Sequence, residues 1–395
     1  MNGVAHTETQ RHGEPLAIFA ATAPGLEPLA AAELRALGIQ AAPEQGGVAW
    51  SGTAEELYAA NLWLRTASRV TVGAAEFRAR TFFELERHAR KIPWERWVPK
   101  GRAVRLRVTS RKSKLYHEGA IAERVLDAIE RRVGSLAGAE IARDDEGDDD
   151  ASDAQLFVVR FVRDACIVRA DSSGALLHLR GYRQALARAP LRETLAAAAL
   201  LGSRWPGDAP LLDPMCGSGT IPIEGALMAR NIAPGLANAD REPRRFAFQD
   251  WPDADLTAWN RVVERARDAI RPAAAPIQGS DRDAGAIEAA TSNAERAGVL
   301  DDLALAVAPV SAIQPPAGRG WIVTNPPYGV RVGETEALRN LYAALGHAAR
   351  QHAPGWTMAL LSAESRLDAQ TGVPFADAFQ TRNGGIPVHL AVGVV

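Results

Sequence analysis

Leu211-Leu212-Asp213-Pro214-Met215-Cys216-Gly217-Ser218-Gly219-Thr220 runs from an apolar stretch into a helix start through two closely spaced glycines. The apolar part predicts a short buried strand. Gly217 and Gly219 can adopt backbone angles that other residues avoid, so they allow a tight turn and a close approach of ligand to main chain. From here to the C-terminus apolar runs recur: PLLDP, AAPIQGSD, DLALAVAP, GWIVTNPP, WTMALLSA and PVHLAVGV. Helices are expected between them, starting near Gly219, Ala284, Glu336 and Phe375. Repeated strand–helix alternation predicts an α/β fold with a mostly parallel, doubly wound sheet over 195–395. Ligands of such sheets bind outside the carboxyl ends of the strands.

Upstream the pattern changes. LAIFAAT (16–22) reads as a strand, Pro24-Gly25 as a turn, and LEPLAAAELRALG as a helix with Gly38 just past its end. GGVAWSG is a second strand, followed by a helix that starts after Thr53, with Glu56 completing a capping box. These elements predict a small α+β unit over 16–75. A second unit, 76–172, contains the alternating strand AVRLRVTS, the amphipathic helix of LYHEGAIAERVLDAIERRVG, and a hairpin turning near Arg163-Asp164. The acidic run 144–150 is expected to be a solvated loop, 173–194 a linker, and the polar residues 1–15 a disordered lead-in without a signal peptide.

Composition narrows the class. At 395 residues, two or three domains are expected, and 47% hydrophobic with 23% charged residues is ordinary for a globular chain. Two cysteines, Cys166 and Cys216, provide neither a disulfide framework nor zinc-ligand spacing, so a reducing cytoplasm and no metal are expected. No apolar run approaches the roughly 20 residues of a membrane span. The net charge of −2 conceals a segregation. About a dozen Lys and Arg between Arg80 and Lys114 face only Glu84, Glu86 and Glu95. Such local asymmetry bears on partners more than the total does.

The glycine turn alone is also compatible with an ordinary strand–helix connection. Its N-terminal N–H groups suit an anion such as the methionine carboxylate of S-adenosylmethionine (SAM). Gly279-Ser280-Asp281 ends the next strand, where a carboxylate can accept hydrogen bonds from both ribose hydroxyls; Asp281 is preferred over Asp283. A dinucleotide site is disfavoured because its acid falls about 20 residues after the turn, and a Walker loop because no Gly-Lys-Ser/Thr follows.

Trp321-Ile322-Val323-Thr324-Asn325-Pro326-Pro327-Tyr328-Gly329 is the sharpest chemical signal. An exocyclic amine is a poor nucleophile because its lone pair is delocalised into the base. As it attacks a sulfonium methyl, its hydrogens need acceptors. The Asn325 side-chain oxygen and the Pro326 carbonyl can provide them. Pro326 and Pro327 stiffen the turn, and Tyr328 offers a face on which an extruded base can stack. No cysteine sits in this segment for covalent C5 chemistry, and no general base is required.

LHLRGYR, APLRETLAAAALL, LLDPMCGSGTIPIEGALMARNIAPG, GSDRDAGAIEAATSNAERAGV and TNPPYGVR together resemble the THUMP-containing class I guanine-N2 methyltransferases of bacterial RNA, especially the N-terminal guanine-N2 half of the fused large-subunit rRNA enzyme. ATAPGLEPLAAAELRALG and YHEGAIAERVLDAI extend the likeness, so that it covers about 16–395. The resemblance implies a ferredoxin-like subdomain (16–75), a THUMP RNA-binding domain (76–172) and a Rossmann-like catalytic domain (195–395). It also implies SAM as methyl donor and structured RNA, 23S rRNA or tRNA, as partner, with no membrane. Asp213, Pro214, Met215, Cys216, Gly217, Ser218, Gly219, Thr220 and Asp281 are the cofactor candidates, with Thr194 added; Asn325, Pro326, Pro327 and Tyr328 are the catalytic ones. One departure is Val307-Ala308-Pro309-Val310, where relatives carry an Asp for the adenine amine.

Arg111, Lys112 and Lys114 are the first choice for phosphate contacts, with Arg180 and Arg183 as a second grip near the catalytic mouth. His117, His178, Trp251 and Trp259 are expected to be structural. Two other functions compete: an adenine-N6 methyltransferase of DNA or RNA using the same Asn-Pro-Pro-Tyr chemistry, and an RNA-binding factor that has lost catalysis.

Overall fold

A computed structural model describes residues 15–142, 153–184, 191–328 and 335–395. The expected lead-in and the acidic run lie outside these residues, except Pro15.

The N-terminal half contains β1 (Leu16–Thr22), α1 (Glu27–Ala36), β2 (Ala42–Glu44), β3 (Gly47–Gly52), α2 (Ala54–Trp63), β4 (Ala67–Arg78), α3 (Phe82–Ala89), β5 (Val104–Arg111), α4 (Glu118–Val133), β6 (Ala139–Ala142), β7 (Gln155–Val162) and β8 (Ala165–Asp171). The eight strands form one sheet, ordered β2-β3-β1-β4-β8-β7-β5-β6. The boundary expected near 75 falls inside β4, which pairs with β1 on one side and β8 on the other. The α2 capping box forms as its sequence implies: Glu56 N donates to Thr53 Oγ1 at 3.2 Å and Thr53 N to Glu56 Oε2 at 2.8 Å. The hairpin turn falls at Arg163 and Asp164, both with positive φ, as a tight two-residue turn requires.

The C-terminal half contains α5 (Glu193–Gly202), β9 (Leu211–Asp213), α6 (Thr220–Ala229), α7 (Leu256–Asp268), β10 (Ile277–Asp281), α8 (Ala284–Ala297), β11 (Leu303–Val307), β12 (Trp321–Thr324), α9 (Thr335–His352), β13 (Thr357–Ser362), α10 (Ser365–Asp368), β14 (Phe375–Asn383) and β15 (Ile386–Val394). Its sheet runs β11-β10-β9-β12-β13-β15-β14. The first five strands in that order are parallel neighbours, and β15 is antiparallel to both β13 and β14. The chain leaves β9 toward β10 and later returns to its other side as β12. The gap beyond the ends of β9 and β12 is therefore the switch point where a doubly wound sheet binds its ligand.

One expected element is corrected. Phe375 begins β14, not a helix. Phe379 and Thr381 alternate into the interior, and Gly384 and Gly385, both at positive φ, turn the chain back into β15.

The halves are locked by the segment between α6 and β10. Trp251 and Trp259 are buried, as expected of packing residues. Tyr58 of α2 stacks on Phe248 with centroids 4.4 Å apart, and Trp259 meets both edge-on. Trp251 Nε1 donates to Gln155 Oε1 at 2.8 Å, and Arg65 Nη2 to the Ile232 carbonyl at 2.7 Å. Buried polar groups are thus paired across the joint.

Candidate active site

The turn after β9 has the geometry its glycines suggested. Gly217 has φ +51° and Gly219 φ +82°. A Cβ on Gly219 would press against Ala290 of α8 at 2.9 Å, so a side chain would push the turn off that helix. Gly219 N-caps α6 with no side-chain cap bond, which leaves the first N–H groups of the helix available to an anion. Cys216 N donates to the Ser280 carbonyl at 2.9 Å, and Asn293 Nδ2 of α8 to the Ser218 carbonyl at 3.0 Å. The turn is held from both β10 and α8.

Asp281 lies at the end of β10, beside the turn. Its Oδ2 accepts from Gly217 N at 3.1 Å and its Oδ1 from Asp283 N at 3.0 Å. Those bonds aim the carboxylate and leave lone pairs for hydroxyl donors. Asp283 instead N-caps α8, where it accepts from Gly285 N at 2.9 Å. Asp213 is buried and accepts from Thr324 Oγ1 at 2.6 Å and from Met215 N at 3.1 Å. Burial pushes its carboxyl up to about 7 against these bonds, and nearby Asp281 adds to the rise. The Asp213–Thr324 bond ties the glycine turn to β12. Pro214, Cys216, Ser218 and Thr220 are buried, Met215 half-buried. Burial likewise pushes the Cys216 thiol up, away from nucleophile or ligand chemistry. Thr194 is buried in the first turn of α5, which packs on α6.

Asn325 follows Thr324 directly at the end of β12. Its Oδ1 is buried and has no hydrogen-bond partner among the described residues. A buried amide oxygen left unpaired costs about 1–3 kcal/mol, which is recovered when a ligand N–H fills the place. Pro326 is buried and Pro327 exposed. Tyr328 is half-buried, and its hydroxyl accepts from Asn383 Nδ2 of β14 at 2.7 Å. Burial raises the Tyr328 pKa, so the hydroxyl is neutral. Gly329 lies outside the described residues.

Arg111, Lys112 and Lys114 are exposed together where β5 ends beside the β7–β8 turn; Lys114 N donates to Asp164 Oδ1 at 2.8 Å. Arg180 and Arg183 do not behave as expected of phosphate contacts. Arg180 is buried and donates to the Leu177 carbonyl and, at 2.7 Å, to the Arg65 carbonyl, with Glu224 at 3.5 Å. Arg183 bonds the Leu191 carbonyl at 2.9 Å and Glu193 at 3.0 Å. Arg180 thus bridges the two halves, and Arg183 is committed to the start of α5. His178 is buried as expected, and His117 precedes α4.

Thr324, Asn293 and Asn383 were missed. Each acts through a contact distant in sequence, so no local motif announces it. At the end of β11, Val307 is 56% exposed and Ala308 N donates to the Asp281 carbonyl at 2.9 Å. Among the described residues, no group of three or more His, Cys, Asp or Glu could hold a metal, and no helix is long and apolar enough to cross a membrane.

A glycine turn and an aiming carboxylate beside an Asn-Pro-Pro-Tyr end, at the switch point of this strand order, define a class I, Rossmann-like SAM-dependent methyltransferase. The residues present fit SAM: uncapped helix N–H groups for its carboxylate, Asp281 for its ribose. The chain belongs to the RMKL-like methyltransferase family, whose domain model matches residues 180–391, and an RlmL ferredoxin-like domain matches residues 17–71.

Two relatives show the range of the match. A Synechocystis protein named "Putative RNA methyltransferase slr0064" is 36% identical over 94% of this chain and 95% of its own length. The ribosomal RNA large subunit methyltransferase K/L of Syntrophotalea carbinolica is 36% identical over 95% of this chain but 53% of its own. The chain therefore spans about half the length of the K/L relatives it matches. Two solved structures are similar throughout. SMU.472, complexed with SAH, has a TM-score of 0.84 and 29% identity over 96% of this chain and 98% of its own. A Listeria monocytogenes protein described as a predicted N6-adenine-specific DNA methylase has a TM-score of 0.82 and 32% identity over 95% and 96%.

Proposed function

We propose that this protein transfers the methyl group of SAM to the exocyclic N2 amine of a guanine in structured RNA, 23S rRNA or a tRNA. The single observation that carries the chemistry is the buried Oδ1 of Asn325, which has no partner among the described residues. It is an acceptor for an amine N–H, placed where a methyl donor would lie. SAM supplies an electrophilic methyl on its sulfonium sulfur. The chain's own part is orientation. The glycine turn and Asp281 hold the donor, and Asn325 Oδ1 with the Pro326 carbonyl takes the two amine hydrogens. Tyr328 stacks the extruded base. The proton leaves after transfer, so no base is assigned.

RNA as acceptor is supported by the names of relatives that match along nearly the whole chain, and by the exposed Arg111, Lys112 and Lys114. We assign 76–172 as a THUMP-type RNA-binding unit, 173–194 as linker and 195–395 as the catalytic domain, working in the cytoplasm. The adenine contact falls to backbone or to another side chain in place of the missing acid. Adenine N6 is the second reading, favoured by the description of the Listeria structure.

Incubation with labelled SAM and unmodified 23S rRNA, tRNA or DNA, followed by digestion to nucleosides, decides between them. The expected product is N2-methylguanosine. N6-methyladenine as sole product overturns the guanine assignment, and no transfer to any nucleic acid favours a lapsed RNA-binding factor.

A further inference from the structure

The C-terminal hairpin does more than close the sheet. His389 of β15 pairs with Ser362 at the end of β13, and Gln380 of β14 pairs with His389. The turn end of the hairpin therefore lies on the same edge as Asn325 and Tyr328. A cavity of about 380 Å³ opens there, between the β1–α1 turn at Pro24-Gly25 and the hairpin residues Gln380, Thr381, Arg382 and His389. Its size falls within the range of small-ligand sites, roughly 300–1,000 Å³. Both halves of the protein build it, and they are fitted closely. Gly25 has φ +88°, and a Cβ there would collide with the Gln380 carbonyl. The cavity adjoins the catalytic segment through Asn383, whose side chain bonds the Tyr328 hydroxyl.

Its polar groups are unequally committed. Three neighbouring acids are engaged: Asp368 with His389 Nε2 at 2.7 Å, Asp377 with Gln380 Nε2 at 3.1 Å, and Glu27 with Gly25 N at 2.7 Å and Gly46 N at 3.1 Å. The donors are not. Arg382 is exposed and donates from Nη1 to the Gly385 carbonyl at 3.0 Å, one of five N–H groups it carries. Thr381 is buried, and its Oγ1 has no partner among the described residues. A cavity with spare donors, whose nearest acids already accept hydrogen bonds, suits an acceptor-rich ligand. A base drawn out to Tyr328 leaves flanking nucleotides whose ribose and phosphate groups have that character.

We propose that this cavity is a second RNA subsite, which holds the ribose-phosphate of a nucleotide flanking the target, with Arg382 on the phosphate. The inference rests on an RNA acceptor but not on which base is methylated.

The test uses the full chain loaded with SAH and an unmodified 23S rRNA transcript, with binding measured across a salt series. Arg382→Ala is expected to weaken binding about fivefold and to reduce the slope of log affinity against log salt by about 0.7, one single-strand phosphate contact. Arg382→Lys should keep the slope, since the charge remains. Thr381→Val should weaken binding without changing the slope. An Arg382→Ala protein with wild-type affinity and slope overturns the subsite. So does a slope change that Arg382→Lys fails to restore. Because this readout is binding, it stands apart from methylation: a wild-type protein that binds the transcript but methylates adenine refutes the guanine reading and leaves the subsite to be judged by the slope.

Discussion

At the end of β12, Asn325 Oδ1 is buried without a partner among the described residues; at the end of β5, Arg111, Lys112 and Lys114 stand exposed. The carboxyl edge of the parallel strands concentrates a few polar groups in low dielectric, where each is worth much and must be placed within fractions of an ångström. The tip of the mixed sheet spreads charges in water, where each contributes little and several act together. Single substitutions should therefore be severe in the first region and mild in the second.

The largest effect is expected from Asn325→Ala, which should lower kcat by about 10²–10³, as loss of one transition-state acceptor does, with SAM affinity kept. Calorimetric SAM titration checks this, and lost SAM binding would refute the role. Asp281→Ala should weaken SAM about 10–100-fold, the scale of losing charge-assisted hydrogen bonds, while sparing turnover at saturating SAM. A triple Arg111, Lys112, Lys114→Ala protein should lose about tenfold in RNA affinity and two to three units, roughly, of salt slope, with SAM binding unchanged. If a single member of that triple accounted for the whole loss, the contrast between the regions would fail.

Tyr328→Phe and Asn383→Ala should each raise the RNA KM about fivefold, and the double variant should be no worse than either, because they share one bond. Additive losses would mean that the Tyr328–Asn383 bond does not position the ring.

The smallest effect concerns pH. Asp213 and Glu193 are both raised to about 7 by burial. A raised carboxyl favours the folded state while protonated, so that contribution is full below the unfolded value near 4 and disappears as pH rises through 7. The SAM-free protein should melt a few degrees lower at pH 8 than at pH 5, and Asp213→Asn should shrink the difference to the part that Glu193 carries. An unchanged pH profile in that variant would show that Asp213 is ionised throughout.

Much of the C-terminal half was legible because its signals are local. A strand, two glycines and a helix start specify a turn through backbone sterics alone, and Asn-Pro-Pro-Tyr stiffens its own acceptors. The β14–β15 hairpin was half legible. Asn383-Gly384-Gly385 is a turn signal, but the segment before it was expected to continue the helix alternation. What decided otherwise was pairing with β15, a contact made in space. Arg180 and Arg183 misled for a related reason. A basic linker resembles a phosphate grip until Arg65, Glu224 and Glu193 close around it.

By itself the sequence determined the doubly wound sheet, the glycine turn after β9 and the stiff Asn-Pro-Pro-Tyr segment after β12, since these follow from periodicity, glycine freedom and proline rigidity within a few residues. Only the tertiary structure decided that β4 joins both N-terminal units into one sheet, that Thr324 and Asp213 couple the glycine turn to β12, and that Asn383 reaches Tyr328. Each depends on groups far apart along the chain. Burial raises the stakes of such contacts: a lone polar group is cheap in water and costly inside, so its partner is set by where the fold brings one.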